Sequence, residues 1–210
     1  AWLGDEFTAG TNELALADLL VAPRRVNGPL ASGSVDRFIV ADNASTFAYT
    51  VGNRQAFFAT AAALGTGNPL YGPIVAPSQH VRTTVSADGA RICSTYFDSG
   101  GAGTFRSFVF ATASPGAGTT VATTNHPICF EFSPAGSDLL FLGQSAAVGT
   151  DPAIYRATAA APSTQTRLTR PTGFYTDGGW QTDQVFVAPD FSRVLFRQTR
   201  ASNNLRAVYE

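Results

Sequence analysis

The chain has 210 residues, 44% of them hydrophobic and 14% charged, with a net charge of −1. That supplies enough apolar material for a sizeable core and too little charge for a disordered tail. No strong field draws such a chain to nucleic acid or an anionic membrane, and no apolar run reaches the ~20 residues that a bilayer-spanning helix needs.

Taken from the start, Asn12–Leu20 (NELALADLL) reads either as a helix capped by Thr11 or as a strand. The strand is favoured because the matching part of later repeats is extended. Four segments then share a pattern: Phe38-Ile39-Val40-Ala41-Asp42-Asn43, Thr84-Val85-Ser86-Ala87-Asp88-Gly89, Glu131-Phe132-Ser133-Pro134-Ala135-Gly136 and Phe186-Val187-Ala188-Pro189-Asp190-Phe191. Each is an apolar strand end, a small residue, a turn residue and a second apolar run, the composition of a tight β-hairpin. With Val40, Ser86, Ser133 and Ala188 taken as equivalent, the repeats lie about 46, 47 and 55 residues apart, near the ~40–50 of a four-stranded propeller blade. The first hairpin then carries one extra residue after Asp42.

Third strands are expected at Ala56–Thr60, Phe105–Ala111, Pro152–Thr158 and Leu205–Glu210, and weaker fourth strands at Thr119–Thr123 and Thr166–Thr169. Ile128-Cys129-Phe130 and Leu139–Leu142 barely alternate, as expected of strands covered on both faces. The expected fold is all-β: a β-propeller of four-stranded blades, with four to five blades or partial blades in this chain. The divisions fall at 1–30 (partial), 35–80, 81–127 and 128–182 (full) and 183–210 (partial).

Two cysteines, Cys93 and Cys129, are too few for a disulfide framework or a four-ligand zinc site. They either pair across neighbouring strands or pack as buried thiols. Composition rich in Ala, Thr, Ser and Gly, without Lys or Met, points to a bacterial protein of the periplasm or the exterior.

These residues resemble the repeat of the TolB-like (WD-repeat-like) β-propellers. The turn stands here as Ser86-Ala87-Asp88-Gly89-Ala90-Arg91-Ile92, Ser133-Pro134-Ala135-Gly136 and Ala188-Pro189-Asp190-Phe191-Ser192-Arg193-Val194. The later strand resembles Ala153-Ile154-Tyr155-Arg156, and the blade ending Thr166-Arg167-Leu168-Thr169. Asp is missing at Ala135. The resemblance implies a ring of about six blades, so the three-stranded ends are expected to be completed by more chain or another subunit, with a closed five-blade ring as the alternative.

Motifs for chemistry are sparse. Asp98-Ser99-Gly100-Gly101 lacks a matched base, since His80 and His126 are the only histidines, and it reads as a hairpin loop. No Gly-x-Ser-x-Gly elbow occurs. Asp88 and Asp190 read as caps of their own turns rather than calcium ligands. The four Glu are scattered, so no glycosidase pair is identifiable. Arg24-Arg25 reads as a solvated blade edge, and Asn43-Ala44-Ser45 is a glycosylation sequon without meaning in most bacterial settings. The candidate partner site is Phe174, Tyr175, Asp177 and Trp180, aromatic and polar residues in a long interblade loop. The expected function is a non-enzymatic binding or scaffold module, without cofactor, for a protein or glycan partner. The alternatives are a structural subunit joined through open blade edges, or the propeller domain of a polysaccharide- or peptide-cleaving enzyme.

Overall fold

In the computed structural model the described residues are 1–4, 11–18, 21–30, 33–72, 74–99, 104–114, 116, 118–121, 128–143, 153–168, 180–188, 190–200 and 206–209. Their strands form five antiparallel meanders in chain order. The first sheet is β1 (Trp2–Gly4), β2 (Glu13–Asp18) and β3 (Val21–Arg25); the second is β4 (Val35–Val40), β5 (Thr46–Val51), β6 (Gln55–Thr60) and β7 (Asn68–Pro69). The third is β8 (Gln79–Val85), β9 (Arg91–Asp98), β10 (Thr104–Ala111) and β11 (Thr119–Thr120). The fourth is β12 (Ile128–Phe132), β13 (Asp138–Gly143), β14 (Ala153–Thr158) and β15 (Ala161–Arg167); the fifth is β16 (Trp180–Val187), β17 (Val194–Arg200) and β18 (Arg206–Tyr209). Within 12–20, the described part is the strand β2 and not a helix. The last sheet begins earlier than the division at 183, because β16 pairs with β17 as far back as Trp180 opposite Arg200.

The four hairpin turns are superimposable in their hydrogen bonds. The fourth residue of each donates its amide to the first residue's carbonyl at 2.8 Å: Ala44 to Ala41, Gly89 to Ser86, Gly136 to Ser133 and Phe191 to Ala188. The first residue in turn donates to the carbonyl five residues on, at 2.9 Å in every case. All four of the fourth residues are left-handed, with φ of 54°, 69°, 66° and 63°. This corrects the sequence register. Ala41, not Val40, is the equivalent of Ser86, and the first hairpin has no extra residue. The capping residue is Asn43, whose Oδ1 accepts the Ser45 amide at 2.9 Å, as Asp88 Oδ1 accepts Ala90 at 3.0 Å and Asp190 Oδ1 accepts Ser192 at 3.1 Å. The matching of Asp42 to Asp88 fails because an amide oxygen caps this turn as well as a carboxylate does. Where Asp is missing at Ala135, Ser133 Oγ still accepts the Asp138 amide at 3.0 Å, as Ser86 Oγ accepts Arg91 at 2.9 Å.

A second recurring bond fixes the strand types. Leu70, Val121 and Leu168 each follow a fourth strand and donate to the third strand, to Ala56, Ser107 and Ile154 at 2.9 Å. Val26 donates likewise to Leu14 at 2.8 Å. So β2 and β3 are third and fourth strands, and the first sheet lacks a first, inner strand like β4, β8, β12 and β16 among the described residues. The fifth sheet has first, second and third strands.

The sheets stack face to face through adjacent residues of their second strands. Successive residues point to opposite faces, and here both faces are covered. In β5, Phe47 joins the cluster with Leu14 of the first sheet, while Ala48 joins Ile92 of the third. In β9, Ile92 looks back and Cys93 looks forward to Leu139. In β13, Leu139 looks back and Leu140 looks forward to Val194. Every residue of β5 is buried, which is the physical origin of the apolar runs without alternation. Cys93 and Cys129 are joined by a disulfide, Cα atoms 5.8 Å apart, that links the second strand of the third sheet to the inner strand of the fourth.

The turns themselves form part of a ring. Asn43 Nδ2 donates to the Asp88 carbonyl at 2.8 Å and Thr46 Oγ1 to the Gly89 carbonyl at 2.8 Å. A Cβ at Gly89 would collide with Ser45 Oγ and lie 2.7 Å from Thr46 Oγ1, so only glycine fits this contact. The next turn sits the same way, with Gly136 against Ser86 and Asp88.

Candidate functional site

The inner strands β4, β8, β12 and β16 each begin a sheet, and their ends converge on one cleft of about 580 Å³. The residue just before each turn lines it, namely Val40, Val85, Phe132 and Val187, as do Asp42, Ala87 and Pro134 from the same place in three of the turns. Matching positions of four sheets meeting around one space is the radial arrangement of a propeller axis.

Each inner strand also carries a β-bulge. Register shifts occur at Val35/Arg37, His80/Arg82, Cys129/Glu131 and Thr182/Gln184. Three lie at the same distance from the turn; in β12 the bulge lies two residues nearer. A bulge re-aims the side chains beside it. Here it leaves Phe130 under the Arg82 guanidinium, whose carbon stands 4.6 Å from the ring centroid. Arg82 Nη2 donates to the Phe130 carbonyl at 3.3 Å. Glu131 lies beside them. Burial pushes its carboxyl above the usual carboxylate range, and the Arg82 charge pulls the other way. Burial likewise lowers the Arg82 pKa, opposed by Glu131, yet a guanidinium stays charged at neutral pH. Thr84 and Asp42 complete the polar part, within walls of Ile39, Val40, Val85 and Phe132. A guanidinium on an aromatic ring, with free edges and a neighbouring carboxylate, can hold a planar or hydroxyl-bearing ligand by directed hydrogen bonds.

The other sequence candidates fall elsewhere. Phe174, Tyr175 and Asp177 lie outside the described residues; Trp180 opens β16, and its side chain is not described. Ser99 donates its amide to Ser78 Oγ at 2.9 Å, and Asp98 pairs with Arg106 at 2.8 Å. His80 is bonded to Thr83 Oγ1 at 2.9 Å, so the structure forms no Ser99–His80 dyad. Burial first, and the Arg37 charge second, push the His80 imidazole down to about 4. His126 lies outside the described residues. Asp88 and Asp190 cap their turns, and their carboxyls are held below the usual range by Ser86 and Ser192 hydroxyls respectively. Arg25 departs from the solvated-edge reading: its Nε lies 3.1 Å from Glu13 Oε1, and Glu13 is buried. The cluster of Arg82, Phe130 and Glu131 was not found by sequence reasoning.

No protein-family model matches the chain, and no curated protein matches it. Solved structures do. A putative TolB from Agrobacterium tumefaciens is 13% identical with a TM-score of 0.50, over 88% of this chain and 64% of that one. An oligogalacturonate lyase from Vibrio parahaemolyticus is 12% identical with a TM-score of 0.62, over 98% and 57%. One of two prolyl endopeptidases is 13% identical with a TM-score of 0.55, over 84% and 29%. The chain therefore spans less than two thirds of each. At such identities the likeness is one of fold, and it agrees with the stacked sheets, the ring of turns and the axial cleft: the chain is a β-propeller of the TolB-like fold.

Proposed function

We propose that the chain is an extracytoplasmic binding or scaffold module, without chemistry of its own, that receives a protein or glycan partner at its axial cleft. The carrying observation is the Arg82, Phe130 and Glu131 cluster, placed by bulged inner strands on a stack of sheets tied by turns and a disulfide. Preorganised polar groups on rigid strands favour recognition, because little freedom is lost when a ligand docks. The disulfide supports an oxidising compartment, the periplasm or the exterior. Among the described residues no helix is long and apolar enough to cross a membrane.

The test is binding of the purified chain to a panel of neutral and acidic glycans and of peptides, with Arg82→Ala in parallel. At least one ligand binds the wild type saturably, and the variant loses about tenfold, the worth of one charged hydrogen bond. Turnover of a glycan or peptide by the wild type would sink the reading in favour of an enzyme.

A second reading, a structural subunit completed by neighbours, is favoured by one observation. Phe186 and Leu195, cross-strand partners on the fifth sheet, are 61% and 42% exposed. Their equivalents in the second sheet, Ile39 and Ala48, pack against the third sheet. An exposed apolar sheet face of this kind fits another sheet.

A further inference from the structure

Between the second and third sheets a slot of about 280 Å³ opens, lined by Arg37 and Thr50 on one side and by His80, Arg82 and Thr83 on the other. Its polar lining is cationic or neutral, with no carboxylate. Among the described residues no carboxylate stands within ion-pair distance of Arg37. Asp36, its chain neighbour, instead accepts the Asn53 amide at 2.8 Å.

A second, independent observation concerns Thr50. Its residue is 3% exposed, and its Oγ1 is buried without a hydrogen-bond partner. A buried hydroxyl without a partner is costly and uncommon in native folds, so it calls for a partner that the chain itself does not supply. Thr50 lies on β5 directly opposite Arg37 of β4. One cation and one unsatisfied donor thus share a rung of the ladder at the wall of the slot. His80, bonded to Thr83 and held neutral at neutral pH, adds a polar surface without a competing charge.

We propose that this slot binds a compact oxyanion, a carboxylate or a phosphate, with Arg37 supplying the charge and Thr50 Oγ1 the buried hydrogen bond. The fork of a guanidinium matches two oxygens of either group. A hydroxyl donating to an anion forms a stronger bond than one donating to a neutral acceptor. The site goes beyond the axial cleft reading and needs neither Glu131 nor Phe130.

The experiment titrates the full chain with sodium acetate and, separately, with inorganic phosphate, ionic strength being held constant with chloride. Amide shifts or heat report binding. Either anion gives a saturable response in the wild type. Arg37→Gln, at an exposed position, lowers affinity about tenfold. Thr50→Val lowers it about threefold, while its unfolding midpoint stays at or above that of the wild type, because the substitution removes an unsatisfied buried group. A response to acetate alone identifies a carboxylate site, and one to phosphate a phosphate site. No saturable response to either anion overturns the proposal, as does wild-type affinity in Arg37→Gln or in Thr50→Val. Both substitutions leave Arg82 in place, so failure here is distinct from failure of the cleft.

Discussion

The residue that looks forward from each second strand is treated differently at each seam. Between the second and third sheets it is Ala48, a small residue against Ile92. Between the third and fourth it is Cys93, bonded to Cys129. Between the fourth and fifth it is Leu140, fully covered by Val194 and its neighbours. On the fifth sheet the same position is Leu195, 42% exposed. The backbone position is constant, and what varies is how the next sheet is held. A single position in the second strand therefore reports on each of these three seams and on the open face of the fifth sheet.

The covalent seam provides the largest expected effect. The disulfide closes a segment of 36 residues. By loop-closure entropy such a link is worth about 4 kcal/mol, as an upper figure. Reduction, or the pair Cys93→Ala and Cys129→Ala, should lower the denaturant midpoint accordingly. An unchanged midpoint on reduction would mean that the third and fourth sheets are held by packing alone.

The apolar seams come next, and they separate covered from uncovered. Leu140→Ala should cost about 3 kcal/mol, because it opens a cavity between two sheets. Leu195→Ala, at the equivalent place, should cost under about 0.5 kcal/mol in the isolated chain. Denaturant unfolding at two protein concentrations, with light scattering, measures both. A cost at Leu195 that grows with concentration, alongside a doubled mass, would move the weight to the structural-subunit reading.

Much of this construction was legible in the sequence. Hairpins, third strands and the two-sided burial of β13 follow from turn residues and unbroken apolar runs, which are local signals. The strand at Glu13–Asp18 is read from the repeat instead, since by propensity it is a good helix former that tertiary pairing holds extended. The slip at Val40 arose where two turn chemistries are interchangeable: Asp42 looked like Asp88, but Asn43 does its work. The Arg82, Phe130 and Glu131 cluster was not legible. Arg82 and Phe130 lie 48 residues apart, and only a bulge in β12 brings the ring beneath the guanidinium. Bulges are set by pairing between strands, and no composition rule announces them. The fragment Phe174-Tyr175 stood out for the opposite reason, being conspicuous in composition.

Small effects are also expected in the ring of turns, where the same left-handed residue occurs with and without glycine. Gly136 and Ala44 have φ of 66° and 54°. A Cβ at Gly136 would stand 3.3 Å from Ser86 Cβ, a tight but negotiable contact, so Gly136→Ala should cost about 1 kcal/mol, mostly from the left-handed backbone. Ala44 already bears that cost. Ala44→Gly relieves it while adding freedom to the unfolded chain, and the two nearly offset, leaving a net gain of about 0.5 kcal/mol. At an ordinary exposed position Ala→Gly destabilises by a similar amount, so the sign is diagnostic. Matched thermal unfolding of Ala44→Gly and the wild type reads it directly. A loss in place of a gain would show that Ala44 does not share the backbone of Gly89 and Gly136, and the one-residue correction of the repeat would fail with it.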